Sequence, residues 1–349
     1  MLRRSLQVSA EMFLLLFCAA SLCASAEPRV TGLINRDAAV YSRSTGKIYL
    51  VDSAHGSVIA VSSPEHILPI KVGGEPMAIA INQKTDRIYV VNAADRSVSI
   101  IDSRTDTVVA TVPTAARPYA IAVDEVSNKV FVSNTFSNML TVVDGASNST
   151  SNLRTGSADA ILVDPERQKV YLLGYETDSI TELDPNTGAT RKLAAGDMHL
   201  WGMVRSEGLL YVSHVQGSSI AAIDPLTSKI QNLPTGSMPC AIAVNSKTGE
   251  IYVANYADGT VTILSKERKP SSVRVSAQPQ GLALDEDAGL LYVASPQQNT
   301  VTVIDTRTAQ TLRTFHDLDH PYAVAFSPAT HQAYAINEGE SPFTRLKPR

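Results

Sequence analysis

PMAIAINQKTDRIYVVNAADRSVSIIDSRTDTVVATV, residues 76–112, is the stretch whose reading decides the fold. It returns in altered form along almost the whole chain. The aromatic at its centre marks each return, at Tyr49, Tyr89, Phe131, Tyr171, Tyr211, Tyr252, Tyr292 and Tyr334, with gaps of 40, 42, 40, 40, 41, 40 and 42 residues. A fixed period of this length is the signature of a repeat architecture, in which one unit cannot bury its own apolar faces and must stack on its neighbours.

Each unit reads as four short strands, at 78–81, 87–91, 98–101 and 108–112 in the quoted stretch. All are rich in Val, Ile and Tyr, and none is long enough for a helix. Asn, Asp, Gly, Ser and Thr separate them. Asp102 and Thr105 sit where a side chain bonds the backbone of the tight turn between strands three and four, which is turn chemistry rather than a site. The first strand of each unit is small and apolar (AIAI, AIAV, GLAL, AVAF), as strands converging on an axis must be. The second is apolar at consecutive positions and expects burial on both faces. The fourth mixes Thr, Lys, Arg and Gln with apolar residues, as an outer edge would. An all-β propeller of four-stranded blades satisfies all three patterns.

RIYVVN, KVFVSN and EIYVANYADGTVTIL resemble the YVTN repeat of bacterial and archaeal β-propellers, a group that includes YncE-like exported proteins. The preceding P-x-A-I-A-V and the following V-x-V-I-D-x-x-T fit the same pattern, at residues 118–123 and 301–308. The resemblance spans nearly all of the chain after its first residues. It implies the propeller fold and an exported protein, and it says little of chemistry because the repeated letters are structural.

Residues 1–26 read as a signal peptide: Arg3 and Arg4, an apolar core at 12–20 too short to span a bilayer, then Ala24-Ser25-Ala26 as the cleavage site. The mature chain, 27–349, is then a single propeller domain that is periplasmic or extracellular, with no integral membrane segment. Removing Arg3, Arg4 and Glu11 leaves 28 basic and 33 acidic residues, a net of −5, which does not suit a polyanion binder. Cys18 and Cys23 leave with the signal, so Cys240 is the one mature cysteine and no intrachain disulfide forms.

Counting strands gives eight blades, with seven as the alternative. Residues 29–34 read as a lone strand. At the far end, 322–326 and 332–336 supply two strands and 343–346 a poor third. The N-terminal strand is expected to pair with this C-terminal blade and close the ring.

Aligning the units places one residue per blade at the mouth of the axial funnel: Asp37, Met77, Tyr119, Asp159, Leu200, Cys240, Gln280 and Tyr322. Beside them lie Arg117, His199, Trp201 and His320. Units four and five depart most from the repeat, with Gly174-Tyr175 after a second strand and the chain's single tryptophan, Trp201. The ring matches no catalytic constellation, and no catalytic residue is assigned. The one local group with metal-ligand chemistry is His316, Asp317, Asp319 and His320 on a loop, a spacing that is not diagnostic, so neither metal nor cofactor is expected. A Cys240–His199 pair is a further arrangement to test. The function expected is an exported, monomeric, non-catalytic binding scaffold for a protein, peptide, glycan or small ligand. The alternatives are a propeller enzyme with its site in the funnel, lactonase-like or an oxidoreductase subunit, and a DNA-binding periplasmic propeller.

Overall fold

A computed structural model describes residues 38–63, 65–135, 137–175, 177–196, 199–338 and 341–347. Seven antiparallel sheets of four strands follow one another along the chain, each in simple meander order, and an eighth sheet has three strands, Pro321–Phe326, Ala333–Asn337 and Phe343–Leu346. The blades cover 39–71, 76–113, 118–154, 160–193, 200–234, 239–274, 281–315 and 321–346. First strands of successive blades lie side by side, and that of blade 8 meets that of blade 1, so the ring closes at eight. The third strand of blade 8 falls where the sequence puts it. The expected closing strand, 29–34, and the funnel residue Asp37 lie outside the described residues. No helix among the described residues is long and apolar enough to cross a membrane.

The core is divided into wedges. Eight separate apolar clusters fill the eight junctions between neighbouring blades, including the one between blades 8 and 1. The marker aromatics of the second strands are all buried in them. Tyr49 and Tyr211 are among those that bolt their blade to the next one as well. The Tyr49 hydroxyl donates to Ser103 O at 2.8 Å and meets Asp106 Oδ1 at 2.7 Å, and Tyr211 Oη accepts from Arg268 at 2.8 Å. Burial and the Asp106 carboxylate push the Tyr49 phenol far up, so it stays a neutral donor.

The asparagine that ends the second strand is a structural device. Asn92 is wholly buried and donates to the hydroxyls of Ser97 (3.0 Å) and Ser99 (2.9 Å) while accepting from Gly73 N–H at 3.2 Å. Asn255 does the same with Thr260 and Thr262, both at 2.9 Å. Each side chain pins the turn between strands two and three onto strand three. The turns between strands three and four are built as expected. Asp102 accepts from Arg104 N–H at 2.9 Å, Thr105 bonds Thr107 at 2.8 Å, and Asp144, Asp184, Asp224 and Asp305 repeat the Asp102 arrangement.

Candidate functional site

One end of the ring carries the connections into the first strands and the turns between strands two and three. In five blades the first strand opens with a register shift against the second, at Met77, Tyr119, Trp201, Cys240 and Tyr322. Such a bulge bends the strand and re-aims a side chain. In blade 3 the buried donor that the bulge takes out of the ladder, Ala120 N–H, is caught by Ser133 Oγ at 3.0 Å; in blade 5 Gly202 N–H is caught by Ser213 Oγ at 2.8 Å. Asp159 and Gln280 reach the same position without a shift, through N–H bonds to Leu173 O (2.7 Å) and Ala294 O (2.9 Å).

The register moves one expected residue. Leu200 pairs with His214 as Pro76 pairs with Asn92 and Pro118 with Asn134, so Leu200 holds the proline position and is wholly buried. Trp201 is the funnel residue of blade 5. The alignment slips because unit five has no proline to anchor it.

In six blades the residue before the proline position, two before the funnel residue, is left-handed. Glu75, Arg117, His199, Met238, Gln278 and His320 have φ between 50° and 59°. In four of these blades the carbonyl of this residue accepts an N–H from the neighbouring turn: Ala93 on Glu75, Val215 on His199, Tyr256 on Met238 and Glu338 on His320, at 2.9–3.2 Å. Acidic and amide side chains complete the rim. Asp95 accepts from Gly74 N–H and Asp258 from Ser237 N–H, both at 2.7 Å; Asp178 accepts from His199 N–H, and Asn299 from His320 N–H at 3.2 Å. Asp159 accepts from Tyr175 N–H at 2.7 Å. These groups hold backbone, and several of the carboxylates at the funnel mouth are therefore occupied.

Blades 4, 5, 6 and 8 gather aromatic groups here. Tyr175 stands edge-on to Trp201, with centroids 5.7 Å apart and planes at 81°, and tilts over His199 at 6.3 Å. Tyr175, Tyr256 and Tyr322 pack half-buried around Trp201, Val215 and Cys240, and Tyr256 is hydrogen-bonded to Gln280. Burial pushes the Tyr175 phenol up, with Asp178 and Asp159 adding to it, and burial with the nearby Cys240 does the same to Tyr256. Both are neutral hydroxyls at physiological pH. Trp201 is 6% exposed, and its Nε1–H has no partner among the described residues. The buried His214 bonds Ala195 O through Nε2 at 3.0 Å, which fixes that proton on Nε2, and its Nδ1 is likewise unpartnered among the described residues.

The Cys240 thiol is directed at Pro279 O (3.3 Å) and Ala254 O (3.5 Å), two carbonyls, rather than at the His199 imidazole. Met77, Arg117 and His320 are exposed on the rim, and Tyr119 packs against the wedge between blades 3 and 4. His316, Asp317, Asp319 and His320 are exposed around the buried Leu318. Among the described residues no three His, Cys, Asp or Glu side chains converge in a way that could hold a metal. At the opposite end, the buried Arg205 reaches Glu166 at 3.0 Å and the wholly buried Asp164 at 3.6 Å, a pairing the repeat did not announce.

The chain matches no protein-family model and no curated protein. Its fold is shared with many solved structures. It is similar to Kuenenia stuttgartiensis hydrazine synthase, with 16% identity over 93% of this chain and 98% of that one and a TM-score of 0.59. It is similar to the dihydro-heme d1 dehydrogenase NirN in complex with DHE, with 15% identity over 93% and 75% of the two chains and a TM-score of 0.71. A streptogramin B lyase aligns at 13% identity over 78% and 92%, with a TM-score of 0.61. These likenesses show the class by fold, an eight-bladed β-propeller.

Proposed function

We propose that this chain is an exported propeller of the YVTN type that binds a ligand at the funnel mouth. The observation that carries the reading is the aromatic wall of Tyr175, His199 and Trp201, on the arc where the repeat is most altered, joined by Tyr256 from the more regular unit six. A wall of ring faces and edges with neutral phenol donors suits a flat, largely apolar ring that carries hydrogen-bond acceptors. Structure-bearing positions elsewhere keep the repeat's letters, whereas these positions leave it.

A second reading has support from the neighbours. A hydrazine synthase, a lyase and a dehydrogenase are all named among proteins of this shape, which favours a propeller enzyme whose chemistry occurs over the same wall. Both readings place the substrate or ligand at the same residues.

Trp201 is the only tryptophan, so its emission reports on the wall directly. The mature protein should show quenched or shifted emission with a planar acceptor-bearing ligand, drawn from a panel of tetrapyrroles, aromatic lactones and macrocyclic lactones. A ligand at 100 times its Kd adds about 2.7 kcal/mol to stability. Tyr175→Ala should abolish the optical change, and product formation from the hit would select the enzyme reading. An optical and thermal response to none of the panel would sink the ring-ligand reading. Export is tested separately, by finding Glu27 at the N-terminus of the protein in the envelope fraction.

A further inference from the structure

The outer strands of the blades make the perimeter of the ring, and charge is spread unevenly over them. Those of blades 3, 4, 6 and 7 carry Arg154, Arg191 with Lys192, Arg274 and Arg313. Cations on an exposed edge keep it from meeting its like. The outer strand of blade 5, Ile230–Pro234, is uncharged but shows Gln231 and Asn232 to solvent. That of blade 2, Thr107–Pro113, has neither a charged nor an amide side chain. Its neighbour in blade 1, His66–Lys71, lies against it.

Four large apolar side chains are exposed together where these two strands meet: Ile67 at 46%, Leu68 at 48%, Val108 at 37% and Val109 at 48%. The other exposed large apolar residues among those described stand singly on separate blades. Single ones need no explanation, whereas a cluster marks a contact surface. The charges around the cluster say which partner fits. Glu65 and Lys71 stand exposed at opposite ends of the blade 1 edge, with Leu68 midway between them. Each is tethered within its own blade: Glu65 accepts from Ser63 Oγ at 3.1 Å, and Lys71 Nζ donates to His55 O at 2.8 Å. A second copy turned about a two-fold axis that crosses the strand at Leu68 brings each Glu65 over the other copy's Lys71. The same turn lays the four apolar residues on their equivalents.

We infer that the perimeter of blades 1 and 2 is a two-fold interface between two copies of this chain. It replaces the monomer expected from the sequence. The contact is made by side chains meeting face to face and not by strand addition. Pro69 removes a donor from one edge, and the register shift at Val109 bends the other. Both copies use the same surface, so the assembly closes at two and no fibre grows. The funnel mouth is at an end of the ring and stays open, so the inference stands apart from the ligand reading.

Sedimentation velocity of the mature chain across the micromolar range should show a monomer–dimer equilibrium. Leu68→Glu and Val109→Glu, both at exposed sites, should weaken it at least about tenfold with Tm unchanged. Glu65→Lys alone should also weaken it, by setting lysine over lysine, and adding Lys71→Glu should restore it. Leu68→Cys covers a weak dimer: near the axis it should oxidise to a covalent pair, while Leu226→Cys, 72% exposed on blade 5, should not. Cys240 is buried and does not compete. A monomer at every concentration with no Leu68→Cys cross-link would overturn the inference and leave the cluster to a different partner. A dimer that ignores both glutamates, or a mass that climbs past two copies, would overturn it as well.

Discussion

Blades 2 and 5 have nearly superimposable strand pairings and opposite contents. Both open with a bulge, both bury a tyrosine in the second strand, and both end the second strand with a polar residue at the same place. In blade 2 the bulge residue is the exposed Met77 and the polar residue is Asn92, with three hydrogen bonds. In blade 5 they are the buried Trp201 and the buried His214, each with one ring nitrogen unpartnered among the described residues. An unsatisfied buried donor or acceptor costs about 1–3 kcal/mol. Unmet polar groups are not confined to blade 5, since the Tyr89 hydroxyl of blade 2 also lacks a partner among the described residues; what sets blade 5 apart is that one of them, Trp201 Nε1, belongs to the aromatic wall.

The contrast between the two blades should be widest at the bulge itself. Trp201→Ala should destabilise the protein by about 3–5 kcal/mol through loss of packing, while Met77→Ala should stay within about 0.5 kcal/mol. Denaturant unfolding followed by circular dichroism measures both, and equal costs would mean that the two bulges are energetically alike. The polar position comes next. Asn92→Ala should cost about 1–3 kcal/mol, since it strands the Gly73 donor and two hydroxyls. His214→Asn should recover little by itself, because Ala221 stands where Ser99 receives Asn92; adding Ala221→Ser should make the pair more stable than the sum of its single changes.

The turns between strands three and four give a smaller, pH-dependent effect. Lys169 and the N–H groups of Asn186 and Thr187 hold Asp184 down to about 2 from 3.8, and Thr227 with Leu226 N–H lowers Asp224. A depressed carboxylate stabilises the fold above its unfolded pKa and loses that contribution as pH falls through the folded value. Asp184→Asn should therefore lower Tm at pH 7, and the gap from wild type should close between pH 3.8 and about 2. A gap that persists at lower pH would assign the effect to geometry instead of charge. The smallest change is at the rim. Gln278→Gly relieves a left-handed side chain and gives back some backbone entropy, for a net gain under ~1 kcal/mol.

The fold was legible because the letters that recur are the ones that pack. Tyr89 and its equivalents are buried in wedges that every blade must fill, so their spacing survives. The turn aspartates were legible from their backbone-bonding chemistry, and the strand at Phe343–Leu346 from counting strands, although its own letters are poor. The site was not. A bulge has no sequence signature of its own, so the alignment set Leu200 where Trp201 stands. Tyr175 was visible only as a departure, and Tyr256 not at all, since an aromatic just after the second strand looks like any loop residue. Arg205 occupies a place that Ile81 holds in blade 2, and its partner Asp164 comes from another blade, which period counting does not connect. The Cys240 thiol, weighed with His199 only as an arrangement to test, bonds two carbonyls instead, as a buried structural residue does.

The left-handed residues on the rim have one more implication. In four of the six blades the backbone there is held by its own carbonyl and by a neighbouring acid or amide rather than by the side chain at that step. The ring presents glutamate, arginine, histidine, methionine, glutamine and histidine at six equivalent steps. Such a circle is a display of interchangeable tines on a common hub. A lineage could rewrite what the mouth of the ring touches, one tine at a time, with the barrel of strands beneath left undisturbed.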